Sequence, residues 1–221
     1  ELDKIAAEII SHRGGRPAFL GHPKGGPHPF PATITVAINE QLVHGIPGER
    51  TLVEGDIISL DCGTIYRGFV GDSAITLPVG RISAQARQLL GVTSEALRIG
   101  VAACRAGTHM GDVSFAIQSV VEGKGYRVAR EYTGHGVGRE MHEEPDVPNW
   151  GHPDRGPLLK PGMTFALEPM VMGGSEELYI KNNHWTVATV DGQLCAHFEH
   201  TIAVTENGPF ILTRWEDEWK I

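Results

Sequence analysis

Two aspartates, Asp61 and Asp72, flank the segment CGTIYRGFVG between two β-rich runs. If Tyr66 and Arg67 form a two-residue hairpin turn, the pairing continues outward until Asp61 stands directly opposite Asp72. Opposed side chains have Cβ atoms about 4.5–5.5 Å apart, where like charges destabilise the pair. A shared proton or a cation bound by both carboxylates would relieve the repulsion. A register shifted by one residue would instead leave the two acids solvated on opposite faces.

Other acids and histidines occur in apolar or glycine-rich settings. The segment GHGVGREMHEEP (134–145) places His135 within a glycine run, where the backbone can approach a ligand closely, and His142 seven residues later. Glu168 lies between an apolar run and a proline, and Glu199 lies inside the strand-like run HFEHTIAV. Taken singly, each has an ordinary interpretation as a surface glutamate or a core histidine. Together, four carboxylates and one imidazole suit a pair of divalent ions about 3.5–4 Å apart.

The elements that position these groups are short and mixed in type. Apolar residues at helical spacing predict a first helix that ends at the Gly14–Gly15 pair, and a Gly/Pro-rich loop follows over 16–31. Helices are predicted from Ser83 to about Arg105 and over 113–122. The predicted strands are 32–39, 57–63, 64–70 and 72–79, in an antiparallel meander, then 126–131, 163–167, 186–190 and 197–204. With no repeat or linker, one α+β domain is expected.

The composition excludes several classes of protein. The 221 residues carry 27 acidic and 19 basic side chains, a formal charge of −8, which disfavours nucleic acid or an anionic membrane as the main partner. Three cysteines without CxxC spacing argue against a disulfide framework or a structural zinc site. No apolar run is long enough to span a bilayer, so a cytoplasmic protein is expected, without DNA or membrane binding.

Six motifs, in order and over almost the whole chain, resemble one known family. They are NEQLVHGIP (39–47), LDCG and GDSA around Asp61 and Asp72, EYTGHGVGREMHEEP (131–145), LKPGMTFALEPM (159–170), NHWTVATVDG (183–192) and AHFEHTIAVTENG (196–208). The sequence is thereby similar to the type I methionine aminopeptidases of peptidase family M24. The resemblance implies the pita-bread (creatinase-like) fold, with a central curved antiparallel sheet covered by helices.

By the same resemblance, five residues ligate two divalent metal ions. Asp72 and Glu199 would bridge, Asp61 would complete one ion, and His135 with Glu168 would complete the other. Mn, Fe and Co are the expected metals, with Zn and Ni as alternatives, since the ligand types accept all of them.

The resemblance also implies removal of the N-terminal methionine from peptides and nascent proteins by metal-activated water, with ribosome association as a further expectation. Glu168 would carry the proton of the water to the leaving amine, and His44 and His142 would hydrogen-bond the substrate and the tetrahedral intermediate. The positions that line the methionine pocket match Phe30, Thr35, Met141 and Trp185. Without the family, His44 reads as an ordinary loop histidine and Trp185 as core.

Several residues depart from the family pattern. Met141 stands where Phe is usual, Val43 where Cys is frequent, and His197 where Gln is usual. The chain begins at what resembles the family's second helix, so residues 1–221 are expected to form a single catalytic domain without the usual leading helical segment. Two alternatives remain: an Xaa-Pro aminopeptidase of the same fold, against which the NExxxHGIP motif argues, and a non-catalytic binding relative, which would typically have lost metal ligands.

Overall fold

The structure, a computed structural model, describes residues 1–215; the last six residues of the predicted domain, 216–221, lie outside the described residues. One helix precedes the first five strands, two consecutive helices follow them, and the other strands come after these helices. The elements are α1 (Leu2–His12), β1 (Arg16–Pro17), β2 (Thr35–Ile38), β3 (Gln41–Val43), β4 (Ile57–Tyr66), β5 (Phe69–Pro78), α2 (Ala84–Ala103), α3 (Met110–Gly123), β6 (Arg127–Val128), β7 (Thr133–Gly136), β8 (Glu143–Pro148), β9 (Thr164–Leu167), β10 (Met170–Met172), β11 (Leu178–Ile180), β12 (Val187–Thr189), β13 (Cys195–His197), β14 (His200–Thr205) and β15 (Gly208–Ile211).

Side-chain caps fix where α2 and α3 begin. The hydroxyl of Ser83 accepts the Ala86 N–H at 3.0 Å, which confirms the predicted start of α2. Helix α3 begins three residues before the predicted Val113, because a carboxylate oxygen of Asp112 accepts the His109 N–H at 2.8 Å. No helix within residues 1–215 combines the length and the apolar character needed to cross a membrane.

The β4–β5 hairpin differs from the predicted register. Its turn lies one residue later, at Arg67–Gly68, where both residues have positive φ (51° and 85°), as a tight two-residue hairpin turn requires. Asp61 therefore pairs with Ala74, and Asp72 pairs with Gly63. The predicted direct opposition of the two aspartates is wrong. The displacement is two residues, however, and side chains alternate along a strand, so both carboxylates still lie on one face.

Strand pairing is antiparallel throughout the sheets of residues 1–215. Strand β4 pairs with β5 along one edge and with β1 and β2 along the other. A five-stranded sheet has the order β15-β14-β9-β7-β8, and two three-stranded sheets have the orders β13-β10-β6 and β11-β12-β3. The two strands predicted over 57–63 and 64–70 are wrong in their division, since β4 continues to Tyr66 and β5 begins at Phe69.

The strand predicted over 197–204 is interrupted at Phe198–Glu199. At that point the backbone leaves β13 and pairs with β5 instead. The Glu199 N–H donates to the Ala74 carbonyl at 2.8 Å, and the Ala74 N–H donates to the Glu199 carbonyl at 3.4 Å. The interruption thus fixes Glu199 beside the hairpin that carries the two aspartates.

Helices α2 and α3 pack on the sheets through one large apolar cluster. Leu97 of α2, Ile117 of α3, Phe165 of β9 and Ile202 of β14 are among its fully buried members. Burial of each such side chain contributes about 1.5–3 kcal/mol. The cluster gives the strands that carry the acidic and histidine side chains a rigid support, and the predicted α+β class is confirmed.

Candidate metal centre

The five predicted metal ligands meet at one cavity of about 450 Å³, although they come from distant parts of the chain. Asp61 lies on β4, Asp72 on β5 and His135 on β7; Glu168 follows β9, and Glu199 lies between β13 and β14. Each of the five residues is less than one-tenth exposed. Buried ionisable groups at this density require compensation by hydrogen bonds or by an opposite charge.

The ring of His135 is held so that one nitrogen faces the acids. Its Nδ1 lies 2.9 Å from the carbonyl oxygen of Gly136. Because a carbonyl only accepts, Nδ1 carries the proton, and Nε2 presents a lone pair to the cavity. Nε2 lies 3.8 Å from Oδ2 of Asp72 and 3.7 Å from Oε1 of Glu168. This is the arrangement of a histidine oriented to bind a metal ion.

Glycines on either side of His135 allow this placement. A side chain at Gly134 would collide with the carbonyl oxygen of Ala166 on β9, and one at Gly136 would collide with the carbonyl oxygen of Glu144. Strand β7 can therefore lie between its neighbours only with glycine at these positions. The sequence did not predict β7, since glycine is depleted in strands.

Carboxylate oxygens without partners mark the centre. Among residues 1–215, the buried atoms Oδ1 of Asp61, Oδ1 of Asp72 and Oε1 of Glu199 accept no hydrogen bond. Burial raises the pKa of Asp72 to about 7. Burial, followed by repulsion from neighbouring carboxylates, raises the pKa values of Asp61, Glu168 and Glu199 well above their usual range. In the portion of the chain that the structure describes, these carboxylate oxygens have no positive charge close enough to balance them. Together with one imidazole lone pair, they form a set of ligands that suits divalent metal ions.

His44 lies on the rim of the cavity in an unusual conformation. Its φ is 59°, a left-handed value that is uncommon outside glycine and typical of functional sites. The ring meets those of Tyr132 and Trp185 edge-on, with centroids 5.9 and 6.2 Å apart. Burial lowers the pKa of His44 to about 4, so the imidazole is neutral at pH 7 and keeps one N–H to donate.

The second predicted catalytic histidine, His142, is more exposed and lies beside His135. Its ring centroid is 4.3 Å from that of His135 and 5.3 Å from that of His22. The loop before it is fixed because Oε1 of Glu143 accepts the backbone N–H groups of Arg139 and Glu140 at 2.7 and 2.8 Å. His22 belongs to the Gly/Pro-rich loop, and no local sequence pattern indicates its position here.

One wall of the cavity is apolar. Phe30 and Met141 are buried, Trp185 is half-buried, and the rings of Phe30 and Trp185 meet edge-to-face with centroids 5.1 Å apart. Thr35 lines the same cavity beside its cross-strand neighbour Asp61. The sequence missed other lining residues, namely Phe19, His22, Tyr132 and Met170.

Val43, noted for its departure from the family pattern, is buried in a separate apolar cluster with Ala129 and Met170. It pairs with Val187 across β3 and β12. Its replacement of cysteine therefore changes core packing.

Comparison with known proteins decides the family. Residues 1–206 match metallopeptidase family M24. Methionine aminopeptidase 1 of Bacillus subtilis is 50% identical over 214 residues, which cover 97% of this chain and 84% of the relative. The chain belongs to family M24, among the methionine aminopeptidases. The predicted resemblance is confirmed, and the enzyme class is that of a metallopeptidase.

Solved structures of M24 peptidases show the same fold. The crystal structure of methionine aminopeptidase from Thermotoga maritima superposes with a TM-score of 0.93 at 45% identity, covering 97% of this chain and 84% of the other. An Xaa-Pro dipeptidase from Bacillus anthracis gives 0.65 at 26% identity, covering 82% of this chain and 46% of the other. The expected pita-bread fold is confirmed. The structural similarity to the methionine aminopeptidase is far greater than the similarity to the Xaa-Pro dipeptidase.

Proposed function

We propose that this protein removes the N-terminal methionine from peptides and nascent proteins by hydrolysis that depends on two divalent metal ions. One observation carries the proposal. A cavity with an apolar wall holds the lone pair of His135 Nε2 and buried carboxylate oxygens of Asp61, Asp72 and Glu199 that have no hydrogen-bond partner in the described part of the chain. A metal centre beside a pocket for an uncharged side chain is what this hydrolysis needs.

The donors divide into two ligand sets that share two members. Asp72 and Glu199 would bridge, Asp61 would complete one set, and His135 and Glu168 would complete the other. The chemistry supplied by such ions when bound is activation of water near neutral pH and polarisation of the scissile carbonyl. Mn, Fe and Co, or else Zn and Ni, suit these donors, and availability in the cell selects among them.

The remaining steps belong to protein side chains. Glu168 holds a proton at its carboxylate and passes it to the leaving amine, a role suited to an acid whose pKa burial raises. The neutral imidazole of His44 donates its N–H to the substrate carbonyl, where negative charge develops. His142, at the mouth of the cavity, hydrogen-bonds the peptide that follows the first residue.

Specificity for methionine comes from the apolar wall. Phe30 and Trp185 present ring edges and faces to an unbranched thioether side chain, and such sulfur–aromatic contacts are favourable. Met141 adds a flexible surface on the same wall. Thr35 lies at the base of the pocket, next to Asp61. The wall suits an uncharged, narrow side chain.

The biological setting proposed for this activity is the cytoplasm, where nascent chains beginning with methionine emerge from the ribosome. Transient ribosome association would bring the cavity to its substrates. Residues 1–221 would act as one catalytic domain. The acidic composition, with a formal charge of −8, gives no support to DNA or membrane binding.

Substrate preference tests the proposal. The purified protein, supplied with Mn²⁺ or Co²⁺, is incubated with Met-Ala-Ser and with an Ala-Pro peptide. Release of free methionine with no cleavage of the Ala-Pro peptide is the expected result. Preference for the Ala-Pro peptide would show an Xaa-Pro aminopeptidase, and no cleavage with any divalent metal would favour a binding relative.

A further inference from the structure

His197 lies against the candidate metal centre but belongs to neither ligand set. The residue is 2% exposed, and on β13 it pairs with Met170, two residues after Glu168. Its backbone is fixed by Thr76 of β5. The His197 N–H donates to the Thr76 hydroxyl at 2.8 Å, and this hydroxyl donates to the His197 carbonyl at 2.8 Å. The imidazole therefore projects from a rigid position into the centre.

The two carboxylate oxygens of Glu168 face two different imidazoles. Oε1 lies 3.7 Å from Nε2 of His135, and Oε2 lies 3.3 Å from Nε2 of His197. Nε2 of His197 is buried and makes no aligned hydrogen bond within residues 1–215. A separation of 3.3 Å is within hydrogen-bond range once the carboxylate turns slightly toward the ring. A buried donor left unpaired is destabilising, which favours that turn.

We propose that His197 is a positioning residue: its Nε2–H donates to Oε2 of Glu168 and leaves Oε1 as the oxygen that faces the ion beside His135. This inference rests on the proposed function, because it assigns Glu168 to the metal centre. A carboxylate held by one oxygen in this way keeps a defined orientation, and outer partners of metal ligands commonly control affinity through such bonds.

The alternative is that His197 itself binds an ion. Glu168, His197 and Glu199 do offer ligand atoms within 4.8 Å of one another. An ion placed there, however, would not use Oδ1 of Asp61 or Oδ1 of Asp72, which accept no hydrogen bond among residues 1–215, whereas the other group of three, Asp72, His135 and Glu199, includes one of these aspartates. Ions bound through those oxygens and His135 leave Oε2 of Glu168 to His197. A hydrogen bond from His197 to Glu168 therefore gives a partner to His197 and leaves both aspartates free to bind metal. Metal binding by His197 would not do both.

Two substitutions separate these roles. His197→Gln retains an N–H donor of similar reach, whereas His197→Leu retains the bulk without a donor. Mn²⁺ is titrated calorimetrically into the metal-free wild type and both variants, with thermal melting of the metal-free proteins as the control for folding. The Leu variant is expected to bind Mn²⁺ about 10- to 100-fold more weakly. The Gln variant is expected to stay close to wild type.

Pulsed EPR of the protein loaded with one equivalent of Mn²⁺ gives a second readout. One directly coordinated imidazole, from His135, is expected. Two coordinated imidazoles, a Gln variant as weak as the Leu variant, or a Leu variant equal to wild type would overturn the role of His197. Failure of the wild type itself to bind divalent metal would instead overturn the proposed function.

Discussion

Asp61 and Asp72 lie on neighbouring strands of one hairpin, two residues out of register, so their carboxylates share a face without standing opposite each other. Diagonal neighbours of this kind are about 7–8 Å apart along the backbone, farther than a directly opposed pair. Within the described residues, 1–215, each keeps one buried oxygen without a hydrogen bond. The hairpin thus presents two acceptors to a common space, which is what a shared pair of cations requires.

The first prediction concerns Asp72, the proposed bridging ligand. The substitution Asp72→Asn removes a charge and a metal donor while keeping the shape of the side chain. We expect loss of at least about 4 kcal/mol of transition-state stabilisation, about a thousandfold in rate. The melting temperature of the metal-free protein should stay the same or rise, since repulsion within the centre decreases. Methionine release and thermal melting measure the two effects.

A matched control is Asp154→Asn, an exposed aspartate with φ of 59°, a conformation that asparagine tolerates. It should leave both activity and melting unchanged. An Asp72→Asn protein that retains wild-type turnover would show that Asp72 is not a ligand.

In the metal-free protein, the raised carboxyl pKa values should lower stability as pH rises from about 4, the ordinary carboxyl value, up to those raised values, and the part of this loss above pH 6.5 is not opposed by the histidines. The pKa of Asp72 is raised to about 7, and those of Asp61 and Glu199 are raised well above their usual range. The folded state therefore binds more protons than the unfolded state, and unfolding becomes easier as pH increases, by about 1.4 kcal/mol per pH unit for each retained proton. Thermal melting in chelator between pH 6.5 and 8 measures this slope.

Buried histidines act in the opposite direction, but in a different window. Burial lowers the pKa of His44 to about 4 and that of His197 to about 3. These histidines lower the stability of the folded protein only as pH falls below about 6.5, which is the pKa of a histidine in the unfolded chain. Bound metal should abolish the decline above pH 6.5, because it requires deprotonated ligands. A metal-free melting temperature that is flat or rises from pH 6.5 to 8 would be inconsistent with the raised pKa values.

The role proposed for His44 can be tested with a substitution that tolerates its backbone. His44→Asn keeps the left-handed conformation accessible but removes the imidazole donor. We expect kcat to fall about 10²- to 10³-fold, as for loss of one donor to a developing oxyanion, with unchanged metal stoichiometry. Steady-state kinetics on Met-Ala-Ser and elemental analysis provide the measurements.

His184→Asn is the matched control for His44. His184 also has a left-handed backbone, with φ of 66°, but it is exposed and stacks on His28 outside the cavity lining. Its substitution should leave kcat within about twofold of wild type. Equal losses in the two variants would indicate a backbone effect and would remove the argument for an imidazole donor at position 44.

Met141 should set how strictly the pocket selects methionine. Its flexible side chain adapts to more than one shape, and the Met141→Phe substitution introduces a stiffer one. We expect the ratio of kcat/KM for Met-Ala-Ser to kcat/KM for Leu-Ala-Ser to rise about tenfold. Adding or removing one methylene in an apolar pocket commonly changes such a ratio by this amount. Val43→Cys, in the neighbouring core cluster, should leave this ratio unchanged. A fall in the ratio for Met141→Phe would contradict the assigned lining.

The sequence predicted the residues of the centre better than the strands that carry them. Glu168 and Glu199 could be selected because charged groups in apolar settings require a partner, whereas Asp61 was selected with Asp72 from the expected hairpin. The hairpin register was wrong because Arg67 adopts a positive φ, which residue type alone does not indicate. Strand β7 was missed because its glycines serve close packing against neighbouring strands, and those neighbours are remote in sequence.

Other features depend on contacts that no local pattern encodes. The break at Glu199 follows from backbone bonds to Ala74, far earlier in the chain. The Gly/Pro-rich loop was correctly predicted to be largely irregular, yet it brings His22 to the cavity. In both cases tertiary packing selects the conformation. The sequence motifs nevertheless located every proposed ligand.

The most direct test of the central claim is anomalous diffraction from crystals of the protein loaded with Mn²⁺. We expect two anomalous peaks in the cavity, both bordered by Asp72 and Glu199, with Asp61 beside one peak and His135 and Glu168 beside the other. Absence of peaks in the cavity, or peaks only elsewhere on the chain, would contradict the two-metal centre.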